Sequence, residues 1–285
     1  MTLYAFQILN GLGLGMIYFL MAVGLTIIFG LLHFVNFAHG AFFLLGAYFC
    51  YQVGAATGSF WLALLVAPLV VGAVAWVTEK VLINRVYHLP HTFHILITLG
   101  MALIIQESSI IGWGLVGKVI PTPEALRGVV LLGPFAYPTY RIFIIAFAVA
   151  IAAVLWVLLE RTRFGALIRA GSENTQMVAL LGVDIYRLFT VTFALGAVLA
   201  GVAGVLAAPL RGADPFMGAE ALGIAFVVVV VGGMGSFSGA LAGGLLVGLV
   251  QSVTSSIWPQ GARIIIYGAM AVVILLRPHG LLGRA

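Results

Sequence analysis

His33, Asn36 and His39 crowd into the stretch LLHFVNFAHG (31–40), and Gly40 closes it. Imidazoles bind metals and pass protons, and an amide can satisfy backbone groups freed at a helix break. Three chemistries are therefore open there: a metal site, a proton relay, or the polar joint of an interrupted helix. Metal ligation needs convergent ligands, and two histidines without an evident third are too few. As a joint, Asn36 and His39 would hold freed backbone groups and Gly40 would admit a close neighbour. If the segment is helical, Asn36 and His39 share a face. Gln106 and Glu107 are a second polar pair, and Glu107 is the only acidic residue well inside an apolar run. Polar groups at such positions are functional candidates by default.

Two other stretches imitate known sites. GWGLVGKV (112–119) fits a phosphate-binding loop, except that valine stands where a Mg²⁺-binding hydroxyl is needed. A proline-rich segment follows it instead of a helix, so it reads as an interfacial turn with Lys118 reaching toward the surface. HLPHTFH (88–94) spaces three histidines three apart, but Pro90 interrupts the register, which favours an interfacial loop over a metal site. No nucleophile elbow and no zinc-protease helix is present.

These residues sit in a chain that is 63% hydrophobic and 7% charged, with a mean hydropathy of +1.22 over 285 residues. Soluble domains run near a quarter charged. The chain is therefore an all-α polytopic membrane protein in contact with lipid, a single transmembrane domain over 1–285. The apolar runs do not alternate, which excludes a β-barrel. The net charge of +5 does not imply nucleic acid, because excess Lys and Arg in a membrane protein report topology. The lone Cys50 cannot form an intrachain disulfide. MTLYAFQILNGLGLG lacks a basic leader region and a small-residue cleavage site, so it reads as a membrane helix and not a signal peptide.

About twenty apolar residues cross a bilayer as a helix. The runs predict spans at 4–30, 37–56, 60–82, 94–115, 139–159, 186–209, 217–232, 238–254 and 262–277. The seventh and eighth are short and flank GGMGSFSG (232–239), so a broken or re-entrant element is expected there and eight or nine membrane elements in all. Gly232, Gly233, Gly235 and Ser236 would offer backbone groups to a cavity, where irregular backbone at membrane depth is tolerated. Of the thirteen Lys and Arg, eight fall in 79–93, in 160–187 and in the tail with Arg277 and Arg284, which places those segments in the cytoplasm. The loop at 116–138 and RGADPFMGAE (211–220) are then external, and so is the N-terminus. Small residues four apart, such as Gly11/Gly15 and Gly244/Gly248, read as helix-packing faces.

The segment RTRFGALIRAGSENTQMVALLGVDIYRL (161–188) is too polar to span and too patterned for a plain linker. It predicts one or two short amphipathic helices with glycine stops at Gly165, Gly171 and Gly182. Such helices lie flat on a membrane or dock into a groove of another protein.

This segment resembles the coupling loop of membrane permeases from ABC importers of the high-affinity branched-chain amino acid type. GLGLGMIYFLMAVGLTIIFGLLHFVNFAHGAFFLLGAY (11–48), GGMGSFSGALAGGLLVGLVQ (232–251) and VVILLRPHGLLG (272–283) resemble the same family, in the same order and over nearly the whole chain. His279 departs from the Arg or Lys usual there. The shorter of the family's two permease branches is the better likeness.

The resemblance implies a transport pore in a bacterial inner membrane. It implies a homologous second permease as heterodimer partner, two cytoplasmic ATPase subunits that carry ATP and Mg, and an extracytoplasmic solute-binding protein. No cofactor is expected on this chain. Arg163, Gly165, Arg169, Asn174, Ala179 and Gly182 would form the ATPase-docking surface and its hinges. Asn36, His39, Gly40, Gln106, Glu107, Gly232, Gly233, Gly235 and Ser236 would border a low-affinity substrate path. A proton relay is then unnecessary. A secondary transporter or channel would share the hydropathy, but no clear internal repeat is visible. A membrane enzyme would need an acid or nucleophile beside His33 and His39, and none can be picked out.

Overall fold

A computed structural model describes residues 2–132 and 135–283. Arg284 lies outside them. The chain is a helical membrane bundle, and among the described residues eight helices are long and apolar enough to cross a bilayer. They are α1 (Thr2–Leu32), α2 (His39–Thr57), α3 (Phe60–Thr78, prolonged by a π turn and a 3-10 turn to Val86), α4 (His91–Trp113), α5 (Thr139–Arg161), α8 (Ile185–Arg211), α10 (Phe237–Ile257) and α11 (Ala262–Leu276, entered by a 3-10 turn). Two short helices, α6 (Arg163–Glu173) and α7 (Thr175–Leu180), sit between α5 and α8, and α9 (Met217–Gly232) precedes α10. The predicted spans agree with these helices to within a few residues. The polytopic all-α expectation holds.

Caps set most of the boundaries. Ser59, Thr162, Asn174, Asp184 and Ser236 each accept a backbone N–H with the side chain and open α3, α6, α7, α8 and α10. Gly58 ends α2 at φ +69°, and Gly182 ends the turn after α7 at φ +86°. Gly165 and Gly171 lie inside α6 and stop nothing, contrary to the expected glycine stops. The loop after α4 contains an unforeseen hairpin, β1 (Val129–Leu132) against β2 (Phe135–Pro138). Lys118 pairs through both backbone groups with Ala213, and its ammonium lies 6.0 Å from the Tyr51 ring. His91 and His94 belong to α4, where His94 is buried and stacked on Phe34, so they are not loop residues. Pro90 precedes the first turn, where a missing N–H costs nothing.

α1 and α8 form the buried centre, and α3, α4 and α5 turn apolar side chains outward from it. The centre packs through glycines. A Cβ on Gly244 would lie 2.9 Å from the Gly15 carbonyl oxygen, and one on Gly24 would lie 2.6 Å from that of Gly196. Backbones meet directly there, which is how helices associate where lipid is as apolar as leucine. Gly244→Leu is expected to separate α10 from α1. Size-exclusion chromatography of the purified protein should show loss of the monodisperse peak.

Two helices start inside the bundle. Leu32 lies eleven residues past Met21, about 16 Å along α1. Yet His39, the first residue of α2, bonds the Met21 carbonyl. Residues 33–38 therefore climb back into the bundle, and they do so along α4: Phe34 stacks on His94, and the Phe37 N–H donates to Thr98 Oγ1 at 3.2 Å. His33 turns the chain at φ +58°, a value uncommon outside glycine. α9 has 16 residues, about 24 Å, short of a 30 Å hydrocarbon core. Its first turn meets the first turn of α2, since a Cβ on Gly218 would lie 2.9 Å from the Gly40 carbonyl oxygen.

Candidate functional site

The break at 33–38 is closed by its own polar residues. Asn36 is not helical, so it shares no helical face with His39. Its Oδ1 accepts from the Ala38 N–H at 3.0 Å, and its backbone carbonyl accepts from the His39 N–H. The His39 ring nitrogen Nε2 sits 2.8 Å from the Met21 carbonyl oxygen, which can only accept, so Nε2 carries the proton. Both side chains are fully buried. Gly40 is packed against the Gly218 carbonyl, and a Cβ there would also meet Leu222 at 2.8 Å. The stretch is thus a joint that ties α2 to α1 and α9.

The other path candidates scatter. Gln106 lines a small cavity of about 110 Å³ with Phe37, Leu103, Ala219 and Leu222. Glu107 is exposed on the outer side of α4. At the α6/α7 end of the bundle, the carbonyls of Val231 and Gly232 accept N–H groups of Leu281 and Leu282 at 2.8 and 2.9 Å. Gly233 (φ +108°) and Gly280 (φ +77°) lie against one another in that contact, where any side chain would clash. The expected free backbone of 232–233 is therefore occupied by the C-terminal segment. Gly235 is exposed, and Ser236 caps α10.

α6 and α7 form a compact polar unit against the ends of the long helices. The Arg169 guanidinium donates to the Leu159 carbonyl and lies 3.6 Å from Glu160. Gly165 presses on that same carbonyl of α5. A Cβ on Gly171 would lie 2.7 Å from Leu31, the penultimate residue of α1. Arg163, Asn174, Ala179 and Gly182 are exposed beside Met177, Leu180 and Leu181, three of the apolar residues that mark the segment as amphipathic in the sequence. Their alternation with polar residues was the available signal.

Sequence reading also missed a cluster at the opposite end, where the hairpin lies. Arg141 in the first turn of α5 and Arg211 at the end of α8 line a cavity of about 210 Å³, and Glu220 in α9 links Arg211 to Arg263 in α11 behind it. Glu220 accepts from Arg211 at 2.8 Å and lies 3.7 Å from Arg263. The available signal was single arginines bordering apolar runs.

A bundle of this kind, in which the short α9 meets the start of α2 inside the bundle and a polar unit hangs from one end, is a multi-pass membrane protein, as a permease must be. The sequence comparisons agree. A model of the family described as branched-chain amino acid transport system / permease component matches residues 7–275. The high-affinity branched-chain amino acid transport permease BraD of Pseudomonas aeruginosa is 30% identical, the match covering 99% of this chain and 96% of that one. LivH of Escherichia coli K12 is also 30% identical, covering 98% and 95%. A protein described as a probable LivH from Methanocaldococcus jannaschii is 26% identical, covering 93% and 88%. No solved structure matches the chain. The chain belongs to the branched-chain amino acid transport permease family.

Proposed function

We propose that this chain is one of two permease subunits of an ATP-driven importer in a bacterial inner membrane, moving a small amino acid handed over by an extracytoplasmic binding protein. The hairpin end is external and the α6/α7 end cytoplasmic, which agrees with the basic residues at 80–85, 161–187 and 277. ATP and Mg belong to two separate ATPase subunits. The observation that supports this best is the attachment of α6. It is pinned to the end of α5 by Arg169 and Gly165, and Gly171 places it on Leu31, two residues before the break at His33. A push on α6/α7 therefore reaches the joint at Asn36 and His39 through α1. The exposed Met177, Leu180 and Leu181 offer an apolar face for an ATPase groove.

In this reading Asn36, His39 and Gly40 act as the hinge of the gate, and Gln106 and Glu107 face the second permease. Gly182 tests the docking half. At φ +86° a β-branched side chain is strained, so Gly182→Val should distort the turn after α7. In proteoliposomes holding the complete transporter, uptake is expected to fall about tenfold while ATP hydrolysis continues, a coupling loss of roughly 1.4 kcal/mol. Unchanged uptake with unchanged stimulation of ATP hydrolysis by the loaded binding protein would sink this reading.

A further inference from the structure

We propose that the 210 Å³ cavity between α1, α2, α5, α8 and α9 is a receiving site for the carboxylate of an apolar amino acid, with the Arg141 guanidinium as its anchor. The inference rests on the amino-acid importer reading above and gives it a location. Charge comes first. Arg141 lines the cavity, and among the described residues the side chains that meet its guanidinium are neutral, the Asn10 amide and the Tyr137 hydroxyl. Among the described residues no carboxylate lies within ion-pair distance of it. Glu220 is already shared by Arg211 and Arg263, so of the two guanidinium groups lining the cavity Arg141 is the one left without an acid among the described residues. Asp214, on the connection beside it, spends Oδ1 on the Phe216 N–H and does not line the cavity. Arg141 is half-buried at the external end of α5, where a guanidinium without an acidic partner is available to a visiting anion. Its planar fork fits a carboxylate with two parallel bonds.

Shape and lining come second. Below the arginines the walls are Leu14, Ile17, Phe43 and Ile224, and Met21 lies at the α1 side. A carboxylate held at Arg141 therefore directs an aliphatic side chain onto apolar surface. The volume lies below the range of pockets for drug-sized ligands and suits a solute of about seven water volumes. The Tyr18 hydroxyl is committed to Gln251 at 2.5 Å and leaves its oxygen as an acceptor for an ammonium group.

Position comes third. Met21 lines the cavity and its carbonyl holds His39, while Phe43 lies one turn beyond His39 in α2. The floor of the cavity is therefore the hinge. A solute seated there lies directly above the element that the coupling unit moves.

The test uses the complete transporter in proteoliposomes, with the sole cysteine, Cys50, changed to alanine and Leu210→Cys placed in the cavity wall. Labelling of that cysteine by a thiosulfonate is timed with leucine, with 4-methylpentanoate (carboxylate, no ammonium) and with leucinol (no carboxylate). Leucine and 4-methylpentanoate are expected to slow labelling about tenfold, the worth of one charged hydrogen-bonded pair, and leucinol is not. Arg141→Ala should abolish the protection and Arg141→Lys should keep part of it. Equal protection by leucinol overturns the proposal. So does protection that survives Arg141→Ala, or that follows the anionic-lipid content of the vesicles and ignores leucine, which would mark a lipid-phosphate site. Leucine uptake from the loaded binding protein is measured in the same vesicles. Uptake without protection overturns the site alone, whereas absence of both overturns the amino-acid reading with it.

Discussion

His39→Ala is expected to destabilise the permease by roughly 3 kcal/mol, because it removes a fully buried ring and leaves a void and an unmatched hydrogen-bond site between α1 and α2. For a chain of this size that is a fall of about 10 °C in apparent Tm, read by tryptophan fluorescence of the purified complex. The same change frees the N-terminus of α2 from the Met21 carbonyl, so the break at 33–38 loses its tie to α1. Uptake should fall with stability, not independently of it. His39→Gln keeps a donor of similar reach and should recover about half of the lost Tm, in line with one hydrogen bond of roughly 1 kcal/mol plus some packing. If His39→Ala assembles with unchanged Tm and loses uptake alone, His39 touches the solute and the joint reading fails. The choice between path and joint at LLHFVNFAHG is decided by that one comparison.

Gly165→Val is expected to have the second large effect. The glycine lies on the Leu159 carbonyl, the same oxygen that the Arg169 guanidinium bonds. A side chain at 165 meets backbone, which cannot swing aside as a leucine tip can, so α6 must lift from the end of α5. Lifting it breaks the Arg169 bond as well. Overpacking of this kind costs about 1–3 kcal/mol, and here it falls on the unit that would pass force to α1. The complete transporter in proteoliposomes should still hydrolyse ATP, with uptake down at least about tenfold. Arg169→Ala removes one of the two attachments and should give an intermediate loss. Full uptake in Gly165→Val would separate α6 from transport and leave the coupling role to other segments.

The sequence was most informative where one physical constraint acts alone. A bilayer demands about twenty apolar residues per crossing, so hydropathy located every long helix to within a few residues. Small residues four apart named the contact between α1 and α10, because close approach in lipid has few other solutions. The polar joint at 33–40 was legible because polar groups are rare in such a chain. It was harder to read which way the joint turns. Asn36 looked helical with His39, but Phe34, Phe37 and His94 pull that segment onto α4. The Gly-rich turn at 232–239 looked open, yet residues 281–282, far along the chain, bond the carbonyls of Val231 and Gly232 at its start.

The residues on which the proposed solute site depends lay outside any motif. Arg141, Arg211, Glu220 and Arg263 come from four helices, and each alone looks like an ordinary charge at a helix end. Only the tertiary structure brings Arg141 and Arg211 to one cavity, ties Glu220 to Arg211 and Arg263, and leaves Arg141 without an acid among the described residues. By itself the sequence determined the class, the crossings and the amphipathic segment at 161–188, because hydropathy, helix period and charge asymmetry are properties of neighbours along the chain. The floor of the cavity at Met21 and His39, and the contact of α6 with Leu31, depend on where helices cross, which local sequence does not encode.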